Sequence, residues 1–101
     1  MIKVEKKKNF ISISGHDMYD TLGKDIVCAS VSTMVTVTVN AILKIDETSI
    51  NYTSEKGKVI IKVLKENKMI KLLLDNMMDL LYELKKQYPK NIKIEEVSSW
   101  N

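Results

Sequence analysis

The sequence has few of the residues that interrupt or cross-link a fold. Its 101 residues include one proline and three glycines, which excludes a long flexible linker, because such linkers are rich in these residues. A single cysteine cannot form a disulfide within the chain, and a lone thiol suits a reducing compartment. We therefore expect a single domain over residues 1–101, since a chain of this length can bury one core but not two.

Long apolar runs are also missing. No segment has the roughly 20 unbroken apolar residues of a membrane span. The first ten residues, MIKVEKKKNF, mix charges with apolar side chains where a signal peptide would carry an apolar block. These absences predict a cytoplasmic protein that does not contact a membrane.

Aromatic residues and metal ligands are scarce as well. One tryptophan, one phenylalanine and four tyrosines give little support to recognition of nucleic acid by base stacking. The net charge of +3 is mild, and Lys6, Lys7 and Lys8 form a cluster that is typical of a solvated turn. Zinc usually takes four ligands, and the chain offers one histidine and one cysteine beyond its carboxylates. We expect no metal, no cofactor and no direct nucleic-acid contact.

Alternation of apolar and polar residues predicts five strands. The second hairpin contains EKG, in which Gly57 can adopt the positive φ that a tight turn requires. The predicted strands are residues 1–5, 9–14, 50–54, 58–64 and 91–97.

Two helices complete the prediction. Apolar side chains recur every three or four positions between residues 66 and 88, and Pro89 ends this pattern. Residues 25–45 contain VTVTV, which is typical of a strand, but a continuous helical stripe and the length of the segment favour a helix. The order β-β-α-β-β-α-β predicts an α+β domain in which helices cover one face of a mixed sheet.

The single histidine and the single cysteine lie close together in the sequence, at His16 and Cys28. With a helix start near Asp25, which can cap it, Cys28 would lie in the first turn, where backbone N–H groups and the helix dipole stabilise a thiolate. The same N–H groups could hold the oxyanion of an attacked carbonyl. His16 is the one imidazole that could act as base, and the loop between the two residues can double back.

Spacing alone leaves other interpretations open. A lone cysteine is more often a small buried hydrophobic residue than a nucleophile. Asp25 and Ser32 share the helical face of Cys28 and could support either the thiol or the imidazole. A serine nucleophile at Ser30 or Ser32 is possible in principle, and a non-catalytic ribosome-associated or RNA-binding protein is the alternative function.

The stretch GHDMYDTLGKDIVCASVS, residues 15–32, resembles the signature of the ribosomal-processing cysteine protease family. The family pattern is G-H-A followed by G-x-D-I-V-C-A-x-x-S, and this chain departs from it by carrying Asp17 in place of the small alanine. The positions that match are Gly15, His16, Gly23, Asp25, Ile26, Val27, Cys28, Ala29 and Ser32.

The resemblance implies a cysteine endopeptidase in which Cys28 is the nucleophile, His16 is the base, and Asp25 and Ser32 are supporting positions. It implies that the substrate is the N-terminal extension of the bacterial large-subunit ribosomal protein bL27, cut near aromatic and apolar residues. It also implies a homodimer, and a mobile loop between His16 and Cys28 for which Gly15 and Gly23 would serve as hinges.

Overall fold

The structure of the protein is a computed structural model that describes residues 1–15 and 22–97, with the backbone alone for residues 22–25. In this part of the chain the elements follow the order β-β-α-β-β-α-β, which confirms the predicted α+β class with five strands and two helices. The elements are β1 (Ile2–Lys7), β2 (Phe10–Ser14), α1 (Leu22–Ile45), β3 (Ile50–Glu55), β4 (Lys58–Val63), α2 (Lys68–Gln87) and β5 (Ile92–Glu96).

The five strands form one mixed sheet in the order β3-β4-β2-β1-β5. Neighbouring strands are antiparallel except β1 and β5, which run parallel. The first strand is therefore interior to the sheet, and β3 and β5 are its edges. The amide of Ile2 donates to the carbonyl of Asn91 at 2.8 Å, which joins the two ends of the described chain.

The strand register places apolar side chains on one face. Val4 lies opposite Ile13, and Ile13 lies opposite Val59 on the other side. These side chains are buried in a core that α1 and α2 also supply. Most residues of the opposite face are polar, as the Lys3–Glu5 ion pair at 3.7 Å illustrates, although Phe10 and Ile60 also lie there. The helices thus form one layer over the apolar face, as predicted.

Helix α1 is apolar around most of its circumference. Its buried stripe recurs every three or four residues and consists of Val27, Val31, Val35, Val39 and Ile42. Ile26–Ile45 is long and apolar enough to cross a membrane by length and composition, because Lys44 is its one charged residue and its other interruptions are threonine, serine and asparagine. A search for unbroken apolar runs misses this stretch for the same reason. In the fold, the buried stripe of α1 packs in the shared core.

Helix α2 has clear signals at both ends. The Asn67 side chain accepts hydrogen bonds from the amides of Met69 at 2.8 Å and Ile70 at 3.1 Å, which satisfies two N–H groups of the first turn. At the other end the amide of Tyr88 bonds the carbonyl of Leu84, and Pro89 follows immediately. The predicted end of this helix is confirmed.

Candidate active site

Cys28 lies on α1 at the seventh helical residue, because the helix begins at Leu22. We expected a start near Asp25, three residues later. The helix extends further toward the N-terminus than that prediction, so Gly23 and Asp25 belong to its first turn and Cys28 to its second. The Cys28 side chain is 7% exposed and contributes to the hydrophobic core.

This earlier start changes the electrostatics expected at the sulfur. The N–H groups that lack a partner within a helix belong to its first turn, and the effect of the dipole falls off over the same distance. Lys24 belongs to the first turn. Cys28 lies four residues further along the helix, or about 6 Å along its axis. The expectation that Cys28 lies in the first turn is therefore wrong.

A groove begins one helical turn from Cys28. Its wall on α1 consists of Ser32, Val35 and Thr36, and Ser32 follows Cys28 by four residues and so shares its face of the helix. The groove encloses about 400 Å³. It is large enough to hold several atoms of a peptide beside the cysteine.

The hydroxyl groups near Cys28 differ in their availability. Ser30 donates to the carbonyl of Ile26 at 2.9 Å, and Thr33 donates to that of Ala29 at 3.0 Å. Both hydroxyls are engaged by the helix backbone, whereas Ser32 is exposed and lines the groove. Of the two candidate serines, Ser32 is the one placed to meet a ligand.

The hairpin of β3 and β4 forms the opposite wall of the groove, through Tyr52, Ser54, Gly57, Lys58 and Val59. The sequence predictions include no site role for these residues. They lie more than 20 positions beyond Cys28, and no local motif marks them. Their period-two pattern predicts a hairpin, but its position beside α1 follows only from the strand order of the sheet.

Gly15 ends the described chain before the predicted base. Its φ is +91°, and a Cβ atom at this position would overlap with the carbonyl oxygen of Met1. Only glycine fits this conformation and this close approach without strain. The close approach to Met1 therefore restricts the backbone conformation at Gly15.

The remaining site predictions are not tested by the geometry. His16 and Asp17 lie outside the described residues, and Gly23 and Asp25 are described by their backbone alone. The roles assigned to them stay predictions, as do those of Cys28, Ser32 and the Gly15 hinge. Within residues 1–15 and 22–97, no group of three histidine, cysteine or acidic side chains is arranged to hold a metal ion.

Comparison with known proteins identifies the family. The model of the cysteine protease Prp family matches residues 1–93. The fold is similar to that of the ribosomal processing protease Prp from S. aureus in complex with a substrate peptide, at 24% identity over 96% of this chain and 100% of that chain, with a TM-score of 0.88. The same S. aureus protease with a covalently linked product peptide gives a TM-score of 0.85 at 24% identity and the same coverage. SMU.848 from Streptococcus mutans gives 0.76 at 20% identity, over 97% of this chain and 93% of that chain.

No curated protein matches the chain. The family match spans nearly the whole described length, and the chain carries its one cysteine on a helix beside a groove. The chain is therefore a cysteine protease and belongs to the cysteine protease Prp family.

Proposed function

We propose that the chain is a ribosomal-processing endopeptidase that removes the N-terminal extension of bL27, with Cys28 as nucleophile and His16 as base. The observation that carries the proposal is the position of Cys28, one helical turn from a groove lined by Ser32. The S. aureus relative binds a substrate peptide and forms a covalent link to a product peptide, which is the behaviour expected of a nucleophilic thiol.

The composition supports the two proposed roles. A cysteine protease needs a thiol, and Cys28 is the single cysteine of the chain. A base that takes up a proton near neutral pH is most often an imidazole, and His16 is the single histidine. The β2 strand ends at Ser14, and α1 begins at Leu22, so the segment of the chain that contains His16 connects β2 directly to the helix that holds Cys28.

The proposed reaction proceeds in two steps. The Cys28 sulfur attacks the carbonyl carbon of the scissile bond, its proton passes to His16, and the C–N bond breaks as His16 returns that proton to the leaving amine. Water, deprotonated by His16, then attacks the thioester. This attack releases the carboxylate and restores the thiol.

We propose that the groove beside Cys28 receives the substrate in an extended conformation. Strand β3 is an edge of the sheet, and every residue after Ile50 in it is exposed. Such an edge can pair with an added strand through main-chain hydrogen bonds. Val35, Tyr52 and Val59 line the groove and suit the apolar and aromatic residues expected around the cleavage site.

The test uses a synthetic peptide that spans the bL27 extension and the first residues of the mature protein. Wild type should cleave this peptide under reducing conditions, and Cys28→Ala should not. Loss of one buried sulfur should cost about 1 kcal/mol of stability, so the variant remains folded. Cleavage that persists in Cys28→Ala, or an intact peptide with wild type, would count against the proposal.

Two serine variants test the groove with a matched pair. Ser32→Ala should raise KM because this hydroxyl lines the groove, and Ser30→Ala should leave KM unchanged because its hydroxyl bonds the Ile26 carbonyl. Equal KM values for the two variants would contradict the assigned peptide path.

We propose that the protein is a homodimer that acts in the cytoplasm, where ribosomal proteins are made. The exposed stripe formed by Ala29, Thr33, Val37 and Asn40 carries no charge, and Val37 is 63% exposed. A second copy could cover this face of α1. Sedimentation should then show a dimer that Val37→Lys dissociates and that Leu72→Lys, at an exposed position of α2, leaves intact. A wild-type monomer at working concentration would contradict the proposed assembly.

A further inference from the structure

A second cleft lies between the β1–β2 turn, the connection from β4 to α2 and the first turns of α2. We call it the lysine cleft. It encloses about 390 Å³, and the buried side chains of Ile11, Ile70 and Leu74 are among its lining residues and give it an apolar floor. The lysines that line it are Lys6, Lys7, Lys8, Lys65, Lys68 and Lys71.

The lysine cleft carries more positive charge than the whole chain. Its six lysines are opposed by two lining acids, Glu66 and Asp75, which gives a formal charge of +4. The complete chain carries +3, so the residues outside the cleft sum to −1. The fold brings these lysines to one surface, because they come from two regions of the sequence that are almost 60 positions apart.

Most of this charge is not neutralised by ion pairs. Lys71 pairs with Asp75 at 2.9 Å, and Lys65 pairs with Asp46 at 3.4 Å. Among the described residues, the other four cleft lysines form no ion pair, although Lys7 lies 5.9 Å from the centre of the Phe10 ring. Four cations are therefore available to an anionic partner.

The lysine cleft lies far from Cys28. Helix α1 continues for 17 residues from Cys28 to Ile45, or about 25 Å, and Asp46 beyond its end pairs with Lys65 of the cleft. Strand β2 likewise begins at Phe10 in the cleft and runs away from it toward Ser14. The lysine cleft shares no lining residue with the groove near Cys28.

We propose that the lysine cleft binds the phosphate backbone of single-stranded RNA. All 16 cations of the chain are lysines, and lysine acts as a point charge that contacts phosphate without the paired donors with which arginine reads guanine. The apolar floor can accept an unstacked base or a ribose. A cationic cleft would repel a basic peptide, so it does not suit a peptide of that charge.

The choice of RNA as the anionic partner rests on the proposed ribosomal function, since an enzyme that processes a ribosomal protein meets RNA beside its substrate. From the sequence we expected no nucleic-acid contact, because Lys6, Lys7 and Lys8 alone are typical of a solvated turn. The fold adds Lys65, Lys68 and Lys71 to the same surface.

The test measures binding of a fluorescein-labelled 12-nucleotide oligouridylate to the full chain by fluorescence anisotropy, as a function of salt. Each phosphate contact contributes about 0.7 to the slope of log K against log salt for a single strand. Four available lysines predict a slope of about −3, or about a 50-fold loss of affinity from 50 to 200 mM salt. Replacing Lys7, Lys8 and Lys68 with glutamine should reduce the slope to about −1.

A matched control removes the same charge elsewhere. Lys85, Lys86 and Lys90 lie at or beyond the opposite end of α2, about 25 Å from Lys68, and their replacement with glutamine should change the slope by less than 1. Both triple variants should cleave the bL27 peptide at the wild-type rate, which also shows that they are folded.

The possible outcomes separate the two proposals. Binding that is absent in wild type, or lost equally in both triple variants, overturns the RNA site whatever the peptidase result. Tighter binding of poly-glutamate than of the oligouridylate also overturns it, because the cleft would then serve an acidic protein. RNA binding with the predicted slope in a chain that fails to cleave the peptide leaves the cleft established and overturns the proposed peptidase substrate.

Discussion

Gly15→Ala is the substitution whose effect the structure defines most sharply. Gly15 combines a φ of +91° with an approach to the Met1 carbonyl that leaves no room for a Cβ atom. Met1 cannot easily move away, because the next residue, Ile2, is bonded to Asn91 and paired with Ile92 of the parallel strand β5. The added methyl group would therefore overlap with the Met1 backbone, which the pairing of Ile2 holds in position.

The cost has two parts. An alanine at positive φ costs about 1–2 kcal/mol, and forced overpacking costs about 1–3 kcal/mol more. The expected loss is about 2–5 kcal/mol, a large part of the ~5–15 kcal/mol that stabilises a typical domain. Gly57→Ala is the matched control, because Gly57 has a φ of +78° but no described atom crowds the space that an added methyl group would occupy. It should lose about 1–2 kcal/mol.

Thermal or urea unfolding of the two variants measures the difference directly. For a domain of this size, each kcal/mol lost from the free energy of unfolding lowers Tm by about 4–8 °C. The Tm of Gly15→Ala should therefore lie well below that of Gly57→Ala. Because Gly15 precedes His16, the cleavage rate of Gly15→Ala should also fall at temperatures where the variant is folded. Equal melting temperatures for the two variants would refute the assigned overlap with Met1.

Three further predictions concern the candidate dyad, one tertiary contact and one helix end. The rate of Cys28 alkylation by iodoacetamide at neutral pH should be lower in His16→Ala than in wild type, because an imidazole beside the sulfur can take up the thiol proton. Tyr82 donates a hydrogen bond of 2.6 Å to Glu96, and this bond, burial and the carboxylate charge raise the pKa of Tyr82 to about 12 from 10.0. Tyr82→Phe should therefore cost about 1 kcal/mol of stability near neutral pH. The stabilisation from this hydrogen bond is complete below pH 10, declines between pH 10 and 12 and is absent above pH 12, because the bond needs the phenol proton. Asn67→Ala should lower stability by about 1 kcal/mol in thermal unfolding, because it removes the cap of α2.

Each of these predictions has a distinct contrary result. Equal alkylation rates in wild type and His16→Ala would show that His16 does not act on the sulfur. A Tyr82→Phe penalty that persists above pH 12 would show that the phenol proton is not its source, and spectrophotometric titration should find Tyr82 among the last tyrosines to ionise. Asn76→Ala is the control for the cap, because Asn76 is exposed inside α2, where alanine is the better helix former; an equal loss at both positions would exclude a capping effect.

The fold was largely predictable because most of its elements carry a local signal. Hydrophobic periodicity and Pro89 marked α2, and Gly57 marked the second hairpin, in which Lys56 and Gly57 both take positive φ. Residues 35–39 of α1 are the exception, since their alternation of valine and threonine is typical of a strand. The helix forms there because its buried face, including Val35 and Val39, completes the core over the sheet, and this packing overrides local propensity.

The candidate site was predictable only in part. The family signature identified Cys28, but the helix start was misplaced by three residues, because a capping aspartate at Asp25 and an interior acid look alike in a sequence. The groove wall formed by Tyr52, Ser54 and Lys58, and the lysine cleft, arise where distant segments meet. A local sequence motif cannot show that residues far apart in the sequence lie close together in the fold.

The interior position of β1 has a consequence for synthesis. Strand β1 can complete its hydrogen bonds only when β5, starting at Ile92, has also emerged from the ribosome. Until then, one edge of β1 remains open to pairing with another chain. A nascent protease of this architecture should stay inactive and prone to aggregation until β5 is made, so proteolysis should not begin while β5 is missing.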